Sequence, residues 1–427
     1  MKKYLILTIS LLFFTISFAQ KITYQESLQY AMAKSSVLKK KLLVIIDVEN
    51  SSIKARQKSF EDVDIINAIN QDYIVYQTTF QDNALRESFK YYGLCNCPTI
   101  LFLKPNLDLF YKTTEFDYSK EKLLKIIAIA NTISDENNPM ELHRMYNKDT
   151  SNVQILKKLI DTRKIAGITN NAYFIEKYVS FLTESDLNDY KTILYILESG
   201  PRLGALAYRK AYSRRYLVDS IYKTEPKEKL AVMTTAATTN TMDIAIKIKC
   251  VDDAINVANY FKNAPGNDEY SGKKVFNEKM LQYYRSIRDT SNYYQLALAH
   301  YNYYYMSVNQ NQFKKIKAYD DSDKSTIKTT WKAQSYPENL NNAAWFFYTS
   351  KTENLKHLNN AIRWSNHSIK LMPKAIYYNT LAHLFYKISN FKKAEKAMEV
   401  AIDLAKSEDI SVVNFKNSLL MMKNKTL

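Results

Sequence analysis

The apolar positions change period along the chain. Leu42 to Ile46 is an unbroken apolar run of strand length, suited to a strand covered on both faces. Ahead of it, Thr23 with Glu26 offers a capping box that predicts a helix over 24–36. Beyond it the pattern predicts a helix over 62–69 and a strand over 73–77. Asp82 can cap a further helix that carries Leu85, Phe89 and Tyr92 and stops at Gly93. Thr99 to Leu103 and Leu107 to Tyr111 flank Lys104-Pro105-Asn106 and read as a hairpin. Ser119 then starts a helix through Leu123, Leu124, Ile127 and Ala130. The expected order is α-β-α-β-α-β-β-α.

The polar stretch 135–138, followed by Pro139, marks a linker. Downstream of it strand alternation is rare and helical spacing takes over. Ile155, Leu159 and Arg163 fall on one stripe with Leu156 and Ile160; Tyr173, Ile175, Tyr178, Val179 and Leu182 form another, and Tyr190, Ile193, Leu194 and Leu197 a third. Gly200-Pro201, Ala264-Pro265-Gly266 and Tyr336-Pro337 punctuate the helices. Composition agrees: only 6 Gly and 8 Pro in 427 residues leave few positions for tight turns, which argues against an all-β chain. At 46% hydrophobic the chain is no disordered polymer, and its length allows two or three domains.

The first residues, MKKYLILTISLLFFTISFAQ, join a positive Lys2-Lys3 start to an apolar stretch from Leu5 to Phe14, with small Ser17 and Ala19 before Gln20. This reads as a signal peptide over 1–19 and predicts export to a bacterial-type periplasm or cell envelope. Membrane association is expected only if that segment stays uncleaved. The net charge of +17 invites a polyanion reading, yet no dense basic block with a nucleic-acid motif occurs, and nucleic acid is not an expected partner. Three cysteines, Cys95, Cys97 and Cys250, leave at least one thiol unpaired within the monomer and exclude a stapled disulfide framework. The five histidines show no HExxH and no second cysteine pair completes a zinc set, so no metal or other cofactor is expected.

The element order, together with the tract YYGLCNCPTILFLKPN, resembles the thioredoxin-like family over residues 25 to 133. The resemblance implies that Pro98 is the family's cis-proline, whose preceding backbone lies beside the active site. A redox-active member carries Cys-x-x-Cys after the first buried strand. Here, counting back from FEDVDIINAIN puts Glu49 and Ser52 on those positions, while counting forward from the strand puts the first near Ile53. Neither register supplies a cysteine, and serine cannot carry out thiol-disulfide exchange. The family's ordinary oxidoreductase activity is therefore not expected. Cys95 and Cys97 remain as a Cys-x-Cys pair next to Pro98. They read either as a relocated redox or metal site, or as small side chains packing a loop. No Lys, Arg or His is close in sequence to lower a thiol pKa, which favours the packing role.

At the other end, the stretch from Asn341 to Pro373 places Trp345, Ala361 and Pro373 at spacings of sixteen and twelve. The stretch from Ala375 to Lys406 carries Ala382, Phe385, Ala394, Met398 and Ala401. These resemble two tetratricopeptide repeats, in which small residues sit where paired helices approach closely. Such stacks leave a face that takes peptides or partner proteins. Tyr283-Tyr284, Tyr293-Tyr294 and Tyr301 to Tyr305 with Asn302 can line such a face; with 34 Tyr in the chain, core packing is the favoured role.

The expected architecture is therefore multidomain: signal peptide 1–19, an α/β thioredoxin-like domain 20–134, an α-helical hairpin region 140–335 and tetratricopeptide-like repeats 336–427. The expected function is non-catalytic, an exported interaction or scaffold protein with a protein or peptide partner on its helical repeats. The competing expectation is a thiol-disulfide oxidoreductase, or a thiol-dependent protein, that uses Cys95 and Cys97.

Overall fold

A computed structural model describes residues 21–47, 59–79, 99–114, 119–133, 138–264, 266–322 and 335–427. The chain forms a mixed sheet with helices, followed by a mostly helical remainder, and divides into two compact units, up to Thr241 and from Met242. This division lies within the stretch 140–335 that the sequence presents as helical hairpins.

The first unit opens with β1 (Tyr24–Gln25), α1 (Leu28–Leu38), β2 (Lys41–Asp47), α2 (Val63–Asp72) and β3 (Tyr73–Thr79). It continues through β4 (Thr99–Leu103), β5 (Leu109–Thr113) and α3 (Lys120–Thr132). The strand order is β1-β3-β2-β4-β5. β1 and β2 run parallel to β3, while β4 is antiparallel to β2 and to β5. Alternate residues of β2 face opposite sides. Leu43 and Ile45 join Ile65, Ile66 and Ile69 of α2 and Leu123, Ile126 and Ile127 of α3 in one core. Leu42, Val44 and Ile46 join Leu28 and Ala31 of α1 in another. Burial on both faces is why β2 reads as a continuous apolar run.

Two boundary expectations are corrected. The helix predicted over 24–36 starts later: Tyr24 and Gln25 pair with Val75 and Tyr76, and Ser27 is the N-cap, accepting from the Tyr30 N–H at 3.2 Å. The Thr23–Glu26 capping box yields because a distant strand takes the backbone groups it would have served. In the hairpin, the Leu107 N–H donates to the Lys104 carbonyl at 2.9 Å and Leu107 has φ 66°. The turn thus extends through Leu107, and β5 begins at Leu109.

The same unit continues through α4 (Pro139–Lys148), α5 (Val153–Ile165), α6 (Ala172–Val179), α7 (Tyr190–Glu198), α8 (Leu206–Tyr212) and α9 (Arg215–Thr224). Leu142, Leu156, Ile175, Ile193, Ala211 and Ile221 share one core. The outer edge of the sheet is closed by this helical part: the Lys112 N–H on β5 donates to the Ala166 carbonyl at 2.9 Å, and Ala166 and Ile168 complete the core under α1. Gly167 has φ +71°, and a Cβ there would stand 2.3 Å from the Lys112 carbonyl oxygen. Only glycine fits that left-handed turn against the edge strand.

After α10 (Lys227–Ile248), the second unit contains α11 (Val251–Lys262), α12 (Glu269–Ser286), α13 (Thr290–Tyr304) and α14 (Gln310–Ser322). It ends with α15 (Ser335–Thr349), α16 (Leu355–Leu371), α17 (Ala375–Lys387), α18 (Phe391–Ser407) and α19 (Val413–Lys423). From α11 to α13 and from α15 to α19, each helix packs on the next, and α15 also meets α17. Among the described residues no helix is long and apolar enough to cross a membrane.

Candidate functional site

Glu49, Ser52, Cys95, Cys97 and Pro98 lie outside the described residues, as does the helix expected after Asp82. The described cysteine, Cys250, is half-buried with a free thiol just ahead of α11. No group of three or more metal-ligating side chains occurs among the described residues.

The residues singled out near the C-terminus fall in two helical hairpins. Ala382 on α17 and Ala394, Met398 and Ala401 on α18 are fully buried in one core, with Phe385 packed against it. In the preceding hairpin Ala361 of α16 is fully buried, Pro373 is exposed in the connection to α17, and Trp345 is half-buried. The neighbours Ala344 and Phe347 fill the α15 side of that core. Trp345 instead turns toward α17, where its ring lies 5.3 Å from His383, with Tyr348 at 5.0 Å.

The tyrosine-rich segments divide by exposure. Tyr283, Tyr293, Tyr304 and Tyr305 are buried, whereas Tyr303 is 63% exposed. Most of them build a core around fully buried Trp364, whose indole N–H donates to Asn302 Oδ1 at 2.9 Å. Burial pushes the Tyr293 hydroxyl up to about 12 and the Tyr305 and Tyr336 hydroxyls above their ordinary range.

Inside this aromatic shell sits a polar cluster contributed by three helices. Lys274 on α12 is only 5% exposed. Its ammonium donates to the Tyr336 hydroxyl at 2.9 Å and lies 4.6 and 4.3 Å from the ring centres of Tyr305 and Tyr336. One turn on, Glu278 accepts from the Tyr305 hydroxyl at 2.7 Å, which in turn accepts from Asn339 Nδ2 at 3.2 Å. His300 is fully buried, with Nε2 3.6 Å from Glu278 Oε1 and no hydrogen-bond partner for either ring nitrogen among the described residues. Burial pulls the imidazole below its usual range, and pulls the Lys274 ammonium down to about 8 against the opposing charge of Glu278.

The cluster can hold three helices in register, with only the side chain of Glu278 reaching solvent, at 26% exposure. It buries its amine and its imidazole away from the surrounding water. Sequence reading missed it, although Tyr270, Lys274 and Glu278 at four-residue spacing were a visible stripe on one helix face.

A second buried polar set lies in the first unit. Arg163, 2% exposed, donates through Nε to Asn171 Oδ1 and through a terminal nitrogen to Asn170 Oδ1, both at 2.7 Å. Its guanidinium stacks 5.0 Å from the Phe174 ring. This geometry ties the end of α5 to the start of α6 and is structural.

Comparison with models of known families and with curated proteins yields no match.

Proposed function

We propose that the protein is an exported, non-catalytic interaction scaffold of a bacterial-type cell envelope. In this reading a redox-degenerate thioredoxin-like domain is joined to a tetratricopeptide-like helical domain that takes a protein or peptide partner. The observation that carries the reading is the serial packing of α15 to α19, each helix on its neighbour, with alanines buried where α17 and α18 cross. Stacks of this kind expose the same side of successive hairpins to a partner. Half-buried Trp345 and Tyr348, set beside His383 between α15 and α17, are the aromatic anchors such a surface uses. For the thioredoxin-like part, support comes from the described strands and helices, which follow the order that the resemblance implies, and from the lack of a cysteine in either register of the Cys-x-x-Cys positions.

A photo-crosslinking residue at position 348 of the full-length protein tests the proposal in intact cells. The expected result is a discrete adduct with an envelope protein, lost in Trp345→Ala, on a protein whose mature N-terminus is Gln20. Retention of Met1 in a cytosolic protein, or no adduct from position 348, overturns the reading.

A further inference from the structure

Tyr270 on α12 and Tyr303 on α13 are 47% and 63% exposed, yet both rings touch buried Tyr304. Ring centres are 4.9 Å apart for Tyr270–Tyr304, 4.8 Å for Tyr303–Tyr304 and 5.9 Å for Tyr270–Tyr303. The planes meet at 60°, 87° and 49°, so the three rings form a corner rather than a stack. An aromatic face carries a negative quadrupole, and solvent reaches two of these rings.

The surrounding charge is mixed, with two acidic groups directly beside Tyr270 in the chain. Asp268 and Glu269 are exposed immediately before Tyr270, and hydrogen bonds from the Ser271 backbone and hydroxyl hold the Asp268 carboxyl below its ordinary range. Burial is the main cause that pushes the Tyr270 and Tyr304 hydroxyls up, and the charged groups that add to it are Asp268 and Glu278. Of the two cations in this part of α12, Lys273 is exposed, and Lys274 is committed between the rings of Tyr305 and Tyr336. The same helix face therefore already holds one ammonium against tyrosine rings. Among the described residues no lysine or arginine lies over Tyr270, Tyr303 or Tyr304.

We propose that the Tyr270–Tyr303–Tyr304 corner is the docking point for a cationic side chain, an arginine or lysine on the partner segment that the helical domain takes. This rests on the interaction reading above and supplies the chemistry of the partner. Cation–π attraction favours the guanidinium over the ring faces, and exposed Asp268 beside Tyr270 favours it over a neutral side chain of equal shape.

Full-length mature protein is titrated with labelled peptides of one length: arginine-rich, the same peptide with citrulline for arginine, and aspartate-rich. The arginine peptide is expected to bind at least about tenfold more tightly than the citrulline peptide, and Tyr303→Ala to weaken it about tenfold. Tyr303→Phe, which keeps the ring face, should retain binding. Equal binding of arginine and citrulline peptides, or an unchanged affinity in Tyr303→Ala, overturns the proposal. Matching urea unfolding curves for wild type and both variants exclude a folding defect. Adducts from position 348 that persist while the arginine peptide fails to bind sink the tyrosine corner alone; loss of both sinks the scaffold reading with it.

Discussion

Replacing Lys274 by methionine is expected to stabilise the second unit, by an amount that depends on pH in a defined direction. The side chain is 5% exposed, and burial pulls its ammonium down to about 8 from the ordinary lysine value of 10.5. At about 1.4 kcal/mol per pKa unit, that difference is a penalty of about 3 kcal/mol on the charged form at neutral pH. The lowered value already includes the opposing charge of Glu278, so desolvation outweighs it. Between the two pKa values the unfolded chain binds more protons at this site than the folded one, and wild-type stability therefore rises with pH from 8 toward 10.5. Methionine keeps the length of the side chain and removes the ionisation, so the advantage of Lys274→Met should be greatest below pH 8. By linkage, the ionisation part of that advantage should shrink from about 3 kcal/mol at pH 7 to about 1 kcal/mol at pH 10. The tyrosines with raised pKa values oppose this trend only above pH 10, and they are common to both proteins. Trp331, Trp345 and Trp364 all fall after Met242, so urea unfolding followed by tryptophan fluorescence reads this unit selectively. A variant less stable than wild type at pH 7, or a difference that does not change from pH 7 to 10, would refute the reasoning. The ring contacts would then outweigh the cost of burying the charge.

Gly167→Ala should destabilise the first unit by about 2 kcal/mol or more, from its left-handed φ and the collision with the Lys112 carbonyl, as measured by thermal unfolding; a neutral result would mean that the β5 edge is free to move. Trp364→Ala removes a fully buried ring and the partner of Asn302, and should cost about 3–5 kcal/mol in urea unfolding, against a far smaller loss for exposed Leu355→Ala. Under the scaffold reading the mature protein should not reduce insulin disulfides, and Cys97→Ser should change nothing in that assay. Turnover lost in Cys97→Ser would instead favour the thiol-dependent reading.

The sequence alone carried the periodic features. Leu42 to Ile46 announced a strand covered on both faces, and the stripes at 155–163 and 190–197 announced helices whose buried sides are Leu156, Leu159 and Ile160, and Ile193, Ile196 and Leu197. These follow from spacing, a local property that each segment carries by itself. Tertiary structure decided what depends on a distant partner. Tyr24 and Gln25 became a strand because β3 offers its edge, and Arg163, on a stripe with apolar neighbours, was buried because Asn170, Asn171 and Phe174 satisfy it. At the α15–α16 hairpin, Ala344 and Phe347 took the core and Trp345 was left half-exposed. Helix rotation there is set by packing of Ala344 and Phe347 against Leu358, Ala361 and Trp364 of α16. Lys274 is the sharpest case. Its spacing marked a helix face, but whether that face met water or two tyrosine-bearing helices was decided by burial, and burial is a property of the folded chain.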